Sequence, residues 1–222
     1  MTPTASPLVR IQHRAGREWS LERLLENLSP AIEIVKDDGP DLNPWRGYKL
    51  CLENLPEEGH VCVIQDDTLV CKDFEKVLGL VADANPDEMV TLFLSKVPRR
   101  TVHRATVALG KSRYVYCHPG DLVHVVGLLW PVGVAREFME WATTDPVVIR
   151  GSARSVSDDA HVTRWTRLKK KPVRATVPSI VQHPDDVESL VNANRVAYGR
   201  DSGRTAAIWI GDEDPLDLDW SS

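Results

Sequence analysis

The 222-residue chain is short of several things, and each shortage removes a class of protein. It has four cysteines, Cys51, Cys62, Cys71 and Cys117, and no two of them stand in a Cys-x-x-Cys spacing. That argues against a zinc ribbon, a redox pair or a disulfide framework; Cys62, inside an apolar run, reads as a small core residue. No apolar run approaches the ~20 residues of a membrane-spanning helix. The N-terminal MTPTASPLVRIQHR lacks the basic-then-apolar layout of a secretory signal, so a cytoplasmic location is expected. Positive charge is not in excess. The 27 Lys and Arg against 32 Asp and Glu leave a net charge of −5, which speaks against indiscriminate nucleic-acid binding but leaves room for a local basic face. Internal repeats are absent. The 42% hydrophobic and 27% charged fractions suit an ordinary globular chain, long enough for one domain with a sizeable core.

What is present centres on residues 60–74, HVCVIQDDTLVCKDF. The stretch reads as a short buried strand, then Asp66 and Asp67, then the start of a helix. Two adjacent carboxylates at the end of an apolar strand repel each other. A fold keeps them when something positive sits beside them, such as a divalent cation and the diphosphate that it bridges. The plainer reading is a turn or a helix cap.

The chain before this stretch alternates. Residues 8–12 (LVRIQ) suit a strand ending at His13 and Arg14. Residues 20–28 suit a helix capped by Ser20, with Leu21, Leu24, Leu25 and Leu28 as its apolar stripe. Residues 32–35 (IEIV) suit a strand closing on Asp37 and Asp38, and residues 45–55 a second helix. Strand, helix, strand, helix, strand is the pattern of an α/β layer with a mostly parallel sheet. Ligands of such sheets bind beyond the carboxyl ends of the strands, where His13–Arg14, Asp37–Asp38 and Asp66–Asp67 all fall. Further on, the pattern predicts a helix over 74–84 and a strand over 89–94. A basic segment follows at 96–104, then strand-like runs in RYVYC and DLVHVVGLLW. Helices are expected from Pro131 through Trp141 and over 158–168, with a loop or short strand at 145–157 between them. Residues 1–198 read as one domain and 199–222 as an acidic tail, poorly ordered or docked.

His183, alone, reads as a turn residue. Paired with Asp67 it gains meaning, because a carboxylate and an imidazole suit Mn²⁺ or a similar ion whose other positions are filled by diphosphate and water. Asp158 and Asp159 are either first-turn acids of a helix or a general base for a sugar hydroxyl. Trp130, Trp141 and Trp165 have the rings to stack on a sugar or base, although at least two of them are expected to be packing residues. Arg46 and Lys49 either reach a diphosphate or form a solvated helix face.

These residues carry a resemblance. HVCVIQDDTLVCKDF is similar to the strand-plus-acid motif of GT-A-fold glycosyltransferases. The LLWPVGVAREFMEW…SDDAHVTRW region is similar to their acceptor side and acidic base. TVPSIVQHPDDVESLV resembles the Pro-Ser-Leu-Val-x-His ending that supplies a metal-side histidine. The chain thus looks like a small GT-A (Rossmann-like) enzyme of bacteriophage or actinobacterial type over about residues 8–195. The resemblance implies Asp67 and His183 as ligands of Mn²⁺ or Mg²⁺ and Asp66 at the ribose or donor sugar. It implies Asp159, or Asp158, as the base, Asp37 or Asp38 near the nucleotide base, and Arg14 and Lys49 near the phosphates. Gln65 departs from the family pattern, standing where that acidic motif often begins with an acid. The implied chemistry is inverting transfer from a UDP- or GDP-sugar through an oxocarbenium-like transition state, with the metal neutralising the leaving diphosphate.

For the acceptor, Arg164, Arg167, Lys169, Lys170, Lys171 and Arg174 form a basic strip following the expected base. A DNA backbone would lie on such a strip, with a flipped-out hydroxymethylpyrimidine presented to the carboxylate. Virion protein and surface glycan are the other acceptors. A nucleotidyltransferase is a rival class, but it would carry a Gly-rich phosphate loop where this chain reads HRAGREW with one glycine. A non-catalytic sugar-nucleotide-binding protein would have no need of Asp159.

Overall fold

Residues 61–64, Val-Cys-Val-Ile, are apolar without interruption, as a strand covered on both faces must be. They lie in the middle of a seven-stranded sheet in the computed structural model, which describes residues 6–41, 43–96, 99–118, 121–122, 124–150, 157–184 and 205–221. In chain order the elements are β1 (Leu8–Arg14), α1 (Glu18–Leu25), β2 (Glu33–Asp37), α2 (Pro44–Cys51), β3 (His60–Gln65), β4 (Leu69–Val70), α3 (Phe74–Ala84), β5 (Met89–Thr91) and α4 (Arg99–Ala108). Then come β6 (Tyr114–Cys117), β7 (Gly127–Pro131), α5 (Val132–Thr144), α6 (Pro146–Arg150), α7 (Asp158–Lys169), β8 (Val173–Thr176), β9 (Val181–Gln182) and a 3₁₀ turn at Pro215–Asp217.

The strand order is β2-β1-β3-β7-β5-β8-β6. Strands β1, β2 and β3 are mutually parallel, and β5 is parallel to β8. Strand β7 runs antiparallel to both β3 and β5, so β3 and β5 point the same way. The chain is therefore an α/β protein with a mostly parallel mixed sheet flanked by helices, compatible with a Rossmann-like arrangement. Side chains alternate across β3. Cys62 and Ile64 join the core under α1 and α3; Val61 and Val63 join the core under α2, α5 and α7.

The first half of the chain folds as its pattern predicts, with boundary shifts: α1 starts at Glu18, so Ser20 lies inside the helix rather than capping it. Two helices are corrections. The basic 96–104 segment contributes to α4, whose buried residues are Thr101 and Ala105 rather than large apolar ones. The loop expected after residue 145 begins with α6. The acidic tail is docked over residues 205–221. Trp220 is 2% exposed, and the backbone of 206–209 bridges to Ser95 and Ser179. Residues 185–204, which include part of the resemblance region and the start of the tail, lie outside the described residues.

The small ribbon β4–β9 joins two distant parts of the chain. Its register pairs Leu69 with Gln182 and Val70 with Val181. One step further along both strands, His183 comes against the Asp67–Thr68 turn that leaves β3. The ribbon packs on the sheet through Val181, whose methyl carbons would lie 3.1–3.3 Å from a Cβ at Gly127.

Candidate functional site

Chain reversals at the carboxyl ends of β1, β2 and β3 bring together His13, Arg14, Arg17, Asp37, Asp66 and Asp67. Asp66 and Asp67 are both buried, at 3% and 2% exposure. Carboxylates so deprived of water need close donors. Asp66 Oδ2 lies 2.9 Å from His13 Nδ1 and accepts the Arg14 N–H at 3.0 Å. The positive group that the acid pair demands is Arg17. Its Nη1 stands 3.0 Å from Asp66 Oδ1 and 2.5 Å from Asp67 Oδ2, so one nitrogen spans both acids. Burial nonetheless raises the Asp66 carboxyl above the ordinary range, against the pull of Arg17 and of the Arg14 N–H. Sequence reasoning misses Arg17. The signal for it is the unbalanced charge of the acid pair, facing a turn with three basic residues, HRAGR.

The ribbon brings His183 to Asp67, with Nε2 at 3.1 Å from Oδ2, and places Nδ1 at 2.9 Å from the Pro184 carbonyl. A carbonyl only accepts, so this contact puts a proton on Nδ1. A histidine whose far nitrogen donates to a backbone carbonyl is oriented as metal-ligating histidines are.

At the ends of β1 and β2, Arg14, Asp37 and Arg46 come together. Arg46 donates to Asp37 through Nε at 2.6 Å and Nη2 at 3.1 Å, and Arg14 Nη1 donates at 3.1 Å. Burial pushes Asp37 upward, but Arg46 and the Gly39 N–H outweigh it and hold the carboxyl below its usual range. The guanidinium lies so close to Gly39 that a Cβ there would overlap it. Asn43 caps α2 by accepting the Arg46 N–H at 3.1 Å, which orients the start of that helix.

The second acid pair opens α7 and faces the end of β3. Asp158 is 3% exposed; its Oδ1 accepts the Asp159 N–H at 2.8 Å and its Oδ2 a long bond of 3.4 Å from Gln65 Nε2. Asp159 keeps some exposure, and its Oδ1 accepts the Val125 N–H at 2.5 Å. Burial lifts Asp158 to about 6. Burial and the neighbouring Asp158 charge lift Asp159 well above the ordinary carboxylate range. Gln65, directly before Asp66, thus links the two acid pairs.

Several expected site residues are elsewhere. Trp130 is a correction: it is fully buried, stacks on Phe138, and donates through Nε1 to the Tyr48 hydroxyl at 2.9 Å, so it is core and not an acceptor platform. Trp165 is likewise buried, and Trp141 is half-buried against Phe138. Lys49 is exposed and 3.9 Å from Glu53 along α2, and Asp38 is exposed. The basic strip is also corrected in position. Helix α7 has 12 residues, about 18 Å of axis at ~1.5 Å per residue. Its start is at the carboxyl edge of β3 and its end leads into β8 at the opposite edge, so Lys169, Lys170 and Lys171 stand a helix length from Asp159. Arg164 is paired with Asp145, Lys171 with Glu137, and Arg174 with Glu88; Arg167, Lys169 and Lys170 are exposed.

Among the described residues, no cluster of three or more His, Cys, Asp and Glu side chains is disposed to hold a metal ion. The donors that Asp67 and His183 offer, one carboxylate and one imidazole nitrogen, fit an ion that brings diphosphate oxygens and water as its other ligands. No helix among the described residues is long and apolar enough to cross a membrane. No protein-family model matches the chain, and no curated protein sequence matches it.

Proposed function

We propose that this protein is a nucleotide-sugar-dependent glycosyltransferase of GT-A-like fold, inverting, with a UDP- or GDP-sugar as donor. The observation that carries the reading is the meeting of two differently built acid pairs at one sheet edge. Asp66–Asp67 is bridged by a guanidinium and contacted by two imidazoles; in Asp158–Asp159 the first acid is buried, the second is partly exposed, and both have raised affinity for protons. Burial raises the proton affinity of Asp66 as it does that of Asp158 and Asp159, but only the first pair carries a guanidinium, so charge binding falls to one pair and proton transfer to the other.

In this reading Asp159 is the base. It has the exposure that Asp158 lacks, and the Val125 N–H fixes Oδ1, leaving Oδ2 to take the proton of the incoming hydroxyl. A carboxylate with raised proton affinity is the stronger base near neutral pH. Asp158 is the positioning partner, tied to Gln65. A single carboxylate on the acceptor side implies inversion at the sugar carbon. Asp67 and His183 would hold Mn²⁺ or Mg²⁺, which supplies Lewis-acid neutralisation of the leaving diphosphate when bound. Arg14 and Arg46 lie at the same edge, and with Asp37 between them they form a fixed wall beside the donor. The acceptor is a hydroxyl compound, with hydroxymethylated DNA, protein and glycan as the classes to be tried. The distance of the basic strip from Asp159 weakens the case for DNA.

The test is a donor and acceptor screen read by mass spectrometry, with hydroxymethylated DNA among the acceptors. Turnover of a UDP- or GDP-sugar is expected. Asp159→Asn should lower kcat by about 10²–10⁴-fold with donor binding kept. No turnover of any nucleotide sugar by the parent protein, or full turnover by Asp159→Asn, rejects the reading.

A further inference from the structure

We infer that Arg17 is a built-in seat-holder for the cation: its guanidinium occupies the charge position between Asp66 and Asp67 and yields it to a divalent ion that arrives with a nucleoside diphosphate. The inference rests on the donor-site reading and adds a residue and an order of binding to it.

Three observations carry it. First, Arg17 Nη1 sits 2.5 Å from Asp67 Oδ2, the same oxygen that His183 Nε2 approaches at 3.1 Å. A metal ligated by Asp67 and His183 and a guanidinium this close to Asp67 claim one place, so the two compete. Second, Asp66 does not depend on Arg17 alone. It is held independently by the Arg14 N–H and by His13, so the guanidinium can leave Asp67 without leaving Asp66 bare. Third, Arg17 lies immediately before α1, in the turn between β1 and that helix, so its side chain, 14% exposed, enters the site from a chain reversal and not from a strand of the sheet. Arg14 and Arg46 are paired with Asp37 and Asp41, so of the three guanidiniums at this edge Arg17 is the one whose carboxylate the ion would share.

The energetic logic is that of a competing state. Metal alone must displace Arg17 and leave a desolvated guanidinium with fewer partners. Metal with diphosphate gives Arg17 a new anion. The seat therefore admits metal poorly without nucleotide and well with it, because the apparent affinity is reduced by the fraction of molecules in which the seat is open.

The experiment measures Mn²⁺ binding by electron paramagnetic resonance of the free ion, with and without UDP or GDP, in the full chain. The parent is expected to bind Mn²⁺ weakly alone and more tightly with one of the nucleotides. Arg17→Gln should bind Mn²⁺ alone at least about tenfold more tightly than the parent, with a smaller gain on adding nucleotide. Arg17→Lys, which keeps the charge, should stay near the parent. Arg17→Gln that is folded by circular dichroism yet binds Mn²⁺ no more tightly overturns the inference. Absence of Mn²⁺ binding in parent and variant alike, with or without nucleotide, overturns it together with the metal site. Tighter binding in Arg17→Gln that persists in Arg17→Gln/Asp67→Ala overturns the assignment of the ion to Asp67.

Discussion

At the scale of single residues, charge neutrality decides the site. The pair Asp66–Asp67 announces that a cation is needed but not which one, because a guanidinium, an imidazole and a metal ion all satisfy that demand. Arg17 answers part of it from a turn some fifty positions earlier, a distance that no local pattern spans. The buried acid Asp158 yields a prediction of its own. Its folded proton affinity is raised to about 6 from the ordinary carboxylate value, so between about pH 4 and 6 the folded state holds a proton that the unfolded state has lost. Stability from this group is thus largest below about pH 4 and falls as pH rises to about 6. Asp158→Asn, which removes the charge, should raise stability at pH 7 by on the order of 1–3 kcal/mol, a gain that vanishes below pH 4. Denaturant melts of parent and variant across pH 3.5–7.5 check it. A gain of equal size at every pH would mean that the charge is not the cause.

At the scale of elements, the decisive piece is the smallest. The β4–β9 ribbon has two residues in each strand, yet its register is what carries His183 across to Asp67. The sequence shows an apolar run ending in His183, and it shows an acid pair; it does not show that residues 69–70 and 181–182 pair. The ribbon lies over Gly127, and the space for a Cβ there is filled by the Val181 methyls at 3.1 and 3.3 Å. Gly127→Ala presses directly on these methyls, so Gly127→Ala combined with Val181→Ala should cost less than the sum of the two single changes, by about 0.5 kcal/mol or more. A urea-denaturation double-mutant cycle measures this, and strict additivity would show that the two positions do not touch. Helix α4 was illegible for a different reason. It buries Thr101 and Ala105, four apart, so its inner face has no large apolar residues and its sequence reads as a polar, basic loop. Helix α7 was legible in extent because its first-turn acids and its basic end agree with the helix dipole. Its direction across the sheet was not, and that direction is what separates the basic strip from Asp159.

At the scale of the whole molecule, the C-terminal segment is part of the fold. Trp220 donates from Nε1 to the Pro215 carbonyl at 2.8 Å, and its own carbonyl accepts from the Tyr114 hydroxyl at 2.8 Å. Gln182 Oε1 accepts both the Ala206 and the His183 N–H, at 2.6 and 3.0 Å, so the segment also braces the histidine. Trp220→Ala should cost about 3–5 kcal/mol, as loss of a fully buried large aromatic does, and a change below ~1 kcal/mol in urea denaturation would make the segment an appendage after all. The acidic composition of 211–219 hides this, because the anchoring residues, Ile210 and Trp220, stand singly at its two ends. By itself the sequence determined the α/β class, the order of elements in the first half and the charged residues at the strand ends, since periodicity and chain reversal are local and the carboxyl edge of a parallel sheet follows from them. Only the tertiary structure decided which charges meet. That Arg17 spans both acids, that Gln65 joins Asp66 to Asp158, that Trp130 is walled into the core and that the lysines lie at the far edge all depend on strand order and on the antiparallel insertion of β7. Those are set by how two faces of one sheet are covered at once, a condition that belongs to the whole chain and to no single stretch of it.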